Sequence, residues 1–131
     1  MAEKIYLVQG DSRPDVICEL SDQKTGDPVA IDGATARMKF RKVGATTTLT
    51  TLTGTLLPGV TVVAADGTSS ISTDAPYNTP GAGGRVQFVW GATDLNIDAG
   101  DYEGEIEVTF SNNKIQTVYD VLKFKVREDF N

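Results

Sequence analysis

Histidine is absent from this 131-residue chain, and cysteine occurs once, at Cys18. An internal disulfide is therefore impossible. No Ser-His-Asp triad, His/Cys zinc site or thiol-imidazole pair can be assembled either. Cationic residues are in deficit, 12 Lys and Arg against 18 Asp and Glu for a formal charge of −6. That balance disfavours nucleic acid and anionic membrane as partners. Long apolar runs are missing too, and no stretch approaches the roughly 20 residues of a membrane-spanning helix. The opening MAEKIYLVQGD has neither the charged start nor the apolar core of a secretory signal, so the expectation is a protein made and kept in a cytoplasm until it is assembled into something. No segment sustains a helical period. Gly81-Ala82-Gly83-Gly84 leads into a strand pattern and not a helix, so it is no phosphate loop.

Valine, threonine, isoleucine and aromatics instead gather in short runs separated by Gly, Pro, Asn and Asp, which predicts an all-β single domain over residues 1–131. A chain of this length buries enough surface to fold without a metal or disulfide. Tyr102 to Phe110 alternates strictly, with Tyr102, Gly104, Ile106, Val108 and Phe110 on one side and Glu103, Glu105, Glu107 and Thr109 on the other. That is a half-buried strand. The preceding Asp98-Ala99-Gly100-Asp101 spaces Tyr102 as a tyrosine corner, whose hydroxyl folds back onto the backbone where the chain crosses between sheets. A surface Tyr after an ordinary turn is the other reading.

Further strands are expected at Lys4 to Gln9, Asp15 to Leu20, Ala34 to Arg41, Gly84 to Trp90 and Lys114 to Arg127. Cys18 lies on the apolar face of the second. It sits about where an antibody-type domain has its first bridging cysteine, with Gly104 about where the second would fall. Lacking an activating base, Cys18 reads as core. Met38, Phe40, Trp90 (with Val86 and Phe88), Ile106, Val108 and Phe110 complete the expected core. The last strand slips phase, and a bulge near Tyr119 to Val121 would repair it, setting Lys123, Lys125 and Arg127 opposite the glutamates of the Tyr102 strand.

Candidate chemistry is confined to carboxylates. Asp94, Asp98 and Asp101 crowd the corner, where they either hold calcium in an irregular loop or cap turns in the ordinary way; no cofactor is expected. Arg37, Lys39 and Arg41 form a basic stripe, either a docking patch for an acidic partner or a solvated outer face. Composition changes sharply from Val43 to Gly83, a stretch of 41 residues with only Asp66 and Asp74 charged. Strands are expected at Thr46 to Leu57 and Val60 to Ala64, a hairpin tip at Asp66-Gly67 and a loop long enough to be an arm at Ser72 to Gly84. Such a neutral insertion reads as a subunit contact, with Leu49, Leu52, Leu56, Val60, Val62 and Tyr77 as contact candidates, or else as a mobile loop.

Two flanks of the chain resemble one family. Ile5-Tyr6-Leu7-Val8-Gln9-Gly10-Asp11 with Pro14, then Gly26-Asp27-Pro28-Val29-Ala30-Ile31-Asp32-Gly33-Ala34-Thr35 leading to Met38-Lys39-Phe40-Arg41, is similar to the N-terminal domain of phage baseplate upper proteins. Gly84 to Trp90, Asp94, Ala99-Gly100-Asp101-Tyr102, Glu105 to Phe110 and Gln116-Thr117 follow the same pattern in the same order. The resemblance covers Ile5 to Lys42 and Gly84 to Val126 and omits the threonine-rich middle. It implies an immunoglobulin-like β-sandwich with antiparallel sheets, used as a structural module of tailed-bacteriophage particles.

The expected role is thus a non-enzymatic virion component of tail, baseplate, neck or capsid. It would be made in the host bacterial cytoplasm and bound in multiple copies to other phage structural proteins, with a homo-oligomer also open. The chain carries no coiled coil or receptor-binding head after the domain, which favours a free-standing adaptor or decoration protein. The alternatives are a carbohydrate- or host-surface-binding module on the same sandwich, for which Tyr77 is the only aromatic of the long loop, and an enzyme.

Overall fold

A computed structural model of the chain describes residues 4–118 and 121–130. Among them there is no helix, and the strands in chain order are β1 (Lys4–Val8), β2 (Val16–Glu19), β3 (Thr35–Lys42), β4 (Thr50–Thr53), β5 (Thr55–Leu56), β6 (Val60–Val63), β7 (Ser69–Ser72), β8 (Arg85–Phe88), β9 (Gly100–Thr109), β10 (Ile115–Thr117) and β11 (Leu122–Arg127). The larger sheet runs β1-β11-β9-β3-β4, with β10 also paired to β9. A second sheet is β2-β8-β5, and β6-β7 is a two-stranded sheet of its own.

Alternation drives the layering. In β3, Ala36, Met38 and Phe40 are buried while Thr35, Arg37 and Arg41 are exposed. In β9, Tyr102, Gly104, Ile106 and Val108 are buried. Inward residues of both sheets, together with Ile31, Trp90 and Leu95 from connections, make one core. Its centre is Phe40, stacked on Tyr102 at 5.2 Å and met edge-on by Trp90 at 5.0 Å and Phe124 at 5.2 Å. Burial of each such side chain stabilises by about 1.5–3 kcal/mol, and the offset and edge-on geometries add to that. Trp90 is 3% exposed and donates its indole N–H to the Pro14 carbonyl at 3.1 Å. The Gly104 position has no room for a larger residue, since a Cβ there would lie 3.0 Å from both Met38 Sδ and Phe124 Cε2.

Several expectations are corrected. The sheets are not all antiparallel: β1 runs parallel to β11, with Ile5 opposite Phe124 and Leu7 opposite Val126. Strands at opposite ends of a chain are joined by no tight turn, so nothing forces them antiparallel, and this pairing buries Leu7. The single strand expected at Thr46 to Leu57 is divided at Gly54. There the N–H bonds Ala36 of β3, and the next two residues pair with Gln87 and Val86 of β8. A Cβ at Gly54 would collide with Val86 and press on Phe88, so glycine lets the chain pass from one sheet to the other within a residue.

Strand β8 stops at Phe88, two residues short of Trp90. The loop from Ser72 to Gly84 is not an arm. Gly59 N–H bonds Tyr77 O at 2.8 Å, Gly81 N–H bonds Leu57 O at 3.0 Å, and Ile31 N–H bonds Gly81 O at 2.9 Å. Its glycines Gly81, Gly83 and Gly84 are buried, because only residues without a Cβ fit so closely against the Asp32, Gly59 and Leu20 backbones respectively. Phe110 is only partly buried, since β9 ends at Thr109 and Phe110 already pairs with Lys114 in the turn to β10. Cys18 is likewise at the margin of the core. Tyr119 and Asp120, and with them most of the expected bulge, lie outside the described residues.

The corner forms as spelled. Gly100 takes φ +151°, and the Tyr102 hydroxyl donates to Asp98 O at 2.7 Å. Burial, and secondarily the Asp98 charge, raise the Tyr102 pKa, so the phenol remains a donor through neutral pH. Tyr102→Phe leaves the ring in the aromatic cluster and strands the carbonyl, at an expected cost of about 1–2 kcal/mol. Equal denaturation midpoints for the two proteins would show that the bond contributes nothing.

Candidate functional site

Two surfaces stand out from the ordinary exterior, the outer face of the large sheet and the β6-β7 hairpin. The first is a set of charged stripes. The acidic outward residues of β9 lie between two basic strands: Arg37, Lys39 and Arg41 of β3 face Glu107, Glu105 and Glu103, while Lys123 and Lys125 of β11 face Glu103 and Asp101. Side-chain contacts follow at 2.7 Å for Arg41–Glu103, 3.2 Å for Lys39–Glu107 and 3.4 Å for Lys4–Asp101. Exposed pairs of this kind are worth a few tenths of a kcal/mol each and serve mainly to choose register. The basic stripe is therefore largely answered by the chain's own glutamates. Only Glu103 has a β11 lysine directly opposite; Glu105 and Glu107 are met from β3, because the antiparallel register carries β11 towards Asp101 instead.

The hairpin is a different kind of surface. It is inserted between β5 and β8, with Asp66-Gly67 at its tip, where Asp66 accepts the Thr68 N–H at 2.9 Å. That backbone hydrogen bond lowers the Asp66 pKa, with the Thr68 side chain adding to it. Val60 pairs with Ser72, Thr61 with Ile71, Val62 with Ser70 and Val63 with Ser69. One face thus carries Thr61, Val63, Ser69 and Ile71, of which Val63 is 67% and Ile71 48% exposed. A polar clamp holds the base: Arg85 Nη1 donates to Pro58 O at 3.0 Å, Arg85 Nε lies 3.8 Å from Glu19 Oε1, and the Thr61 hydroxyl donates to Glu19.

The six apolar contact candidates of the neutral segment divide accordingly. Leu49 and Val62 are exposed, whereas Leu52 and Val60 are buried, at 7% and 8%. Leu56 packs against the core and Tyr77 is half-buried. Leu52, Leu56 and Val60 face inward because β4, β5 and the start of β6 belong to the body of the domain. Val63 and Ile71, the most exposed apolar residues of the hairpin, were missed. Counting outward from a two-residue Asp66-Gly67 turn would set Val62 opposite Ile71 and put Val63 on the other face; the turn instead spans three residues between Ala64 and Thr68, which shifts the register by one. The Arg85–Glu19–Thr61 clamp had no sequence signal, since its members are far apart in the chain.

A groove of about 660 Å³ opens beside the Ser21–Lys24 turn, floored by Leu20, Val29, Val108, Phe110 and Val118, with Glu19, Asp22 and Lys24 among its polar rim. The three corner aspartates diverge. Asp94 caps the Gly91 N–H at 2.7 Å, Asp98 takes the Tyr102 hydroxyl on its backbone, and Asp101 pairs with Lys4 and Lys125. Among the described residues no three His, Cys, Asp or Glu side chains cluster as metal ligands, and no helix is long and apolar enough to cross a membrane. No protein-family model matches the chain, and no curated protein matches it.

Burial pushes the Cys18 thiol up to about 11. The folded state thus favours the protonated thiol, a contribution complete below the ordinary value of 9.0 and lost as the pH climbs towards about 11. Since thiolate is the nucleophile, alkylation by iodoacetamide at pH 8 is expected to run roughly a hundredfold slower in the native protein than in denaturant. Equal rates would place Cys18 in open solvent.

Proposed function

We propose that the two sheets form an immunoglobulin-like β-sandwich, and that the protein is a docking component of a tailed-bacteriophage virion, bound in repeated copies to other structural subunits. The fold reading is supported by the pairing order. Strands β2, β8 and β5 take the places of B, E and D, while β3, β9 and β11, with β4 beyond β3, take those of C, F, G and C′, and the tyrosine corner opens the F-like strand as it does in such domains. The particle context is supported by the resemblance of residues 5–42 and 84–126 to the phage baseplate module.

The observation that carries docking is the hairpin. A stretch with Asp66 as its one charge between Val60 and Thr73 holds Val63 and Ile71 in solvent on a chain of net charge −6. Interface centres are depleted in charge in this way, and free strand edges are a common means of protein–protein attachment. The domain body, with its self-neutralised charged face, serves as the scaffold that presents it.

Cryo-electron microscopy of assembled particles that contain the chain is expected to show repeated copies with the hairpin against a neighbouring subunit. A variant in which Asn-Gly joins Val62 directly to Ser70 removes the tip and closes a two-residue turn across a hydrogen-bonded pair. It is expected to leave the two-sheet body folded, with cooperative unfolding retained, and to be lost from particles. Incorporation of that variant at the parental copy number would contradict docking through the hairpin.

A further inference from the structure

We infer that the free edge of β7 pairs antiparallel with the same edge of a second copy of this chain, joining two hairpins into one four-stranded sheet. The inference rests on reading the chain as a docking module and names the partner for one of its surfaces.

The first ground is that the hairpin is an incomplete sheet. Strands β6 and β7 pair only with each other among the described residues, and a two-stranded sheet in water is marginal until further strands and an apolar face are added. Four strands built from two hairpins put Val63 and Ile71 of both copies on one face, with Ile71, now 48% exposed, beside the seam and flanked by side chains of the partner's β7. The second ground is charge. Two molecules of net charge −6 repel, so copies meet at least cost where charge is absent. Residues 60–73 offer that, with Asp66 alone charged at the tip. An antiparallel arrangement about a two-fold axis sends the two tips in opposite directions and keeps the two Asp66 carboxylates apart. The third ground is the edge itself. Strand β7, Ser69-Ser70-Ile71-Ser72, carries none of the Lys, Pro or inward charges that guard edges against self-pairing, whereas β1 at the edge of the large sheet begins with Lys4.

A contact of four residues per copy is small, so the dimer forms weakly in free solution and gains from high local concentration when copies are held side by side. Repulsion between acidic bodies is screened by salt, so association tightens as salt rises, the reverse of an ion-pair interface.

Sedimentation equilibrium of the full chain over a wide concentration range, at low and at high salt, tests this. The expected result is a monomer–dimer equilibrium that tightens with salt. It is weakened at least tenfold by Ile71→Lys and unchanged by Val89→Lys, whose parent side chain, just after β8, is exposed to 52%. Amide exchange in β7 should slow as the protein is concentrated. A protein that stays monomeric at about millimolar concentration in high salt, where screening is nearly complete, overturns the proposal. So does a dimer indifferent to Ile71→Lys, or one as sensitive to Val89→Lys. Particles that carry the chain as separated single copies would also overturn the self-pairing while leaving the docking role intact.

Discussion

Strand β9 is hydrogen-bonded on both sides along its length, to β3 on one flank and to β11 and β10 on the other, and the rest of the molecule depends on the strict alternation that lets it sit there. Its inward residues Tyr102, Gly104, Ile106 and Val108 fill the middle of the core, while its outward acids meet cations from both neighbouring strands. A slip of one residue would turn four carboxylates into the core and Tyr102 out to water. The hydrophobic term of that error far exceeds any ion pair, so burial fixes the register and the charges follow it. The tyrosine corner then anchors where β9 begins, and Phe40 on β3 links its ring to those of Trp90 and Phe124.

A body fixed in this way leaves its one neutral excursion to other uses. The threonine-rich middle of the chain does two jobs that composition alone does not separate. Thr50 to Leu56 supplies an edge strand of each sheet, with Gly54 as the crossing point, and Val60 to Ser72 folds out as the hairpin. The hairpin's base is clamped by Arg85 and Glu19, and among the described residues its outer half pairs with no other strand. Stability is thereby unevenly distributed: long-range pairing and aromatic packing in the body, local pairing alone at the tip.

Much of the body was legible in the sequence because period-two alternation is a direct imprint of a half-buried strand. The inward sets of β3 and β9, the burial of Trp90, the corner at Tyr102 and the hairpin tip at Asp66-Gly67 all come from such local signals. What was not legible depends on contacts between distant residues. Nothing near Gly54 says that Val86 and Phe88 will press against it, so a sheet crossing reads as continuous strand. The Gly81 to Gly84 run reads as flexible because its closeness to Gly59, Leu20 and Asp32 is tertiary. The parallel pairing of β1 with β11 joins the two ends of the chain and has no local signature. Among the contact candidates, Leu52 and Val60 were misplaced for the same reason: a neutral composition does not reveal which side of a strand meets the core.

The central claim is that a rigid two-sheet body presents a separately and weakly held hairpin. Residue-resolved amide hydrogen exchange on dilute protein, where copies do not meet, tests it most directly. The account predicts that the paired amides of β3 and β9 exchange only through global unfolding, while those of β6 and β7 beyond Thr61 exchange orders of magnitude faster through local opening. Hairpin amides as slow as those of β9 under the same dilute conditions would contradict it.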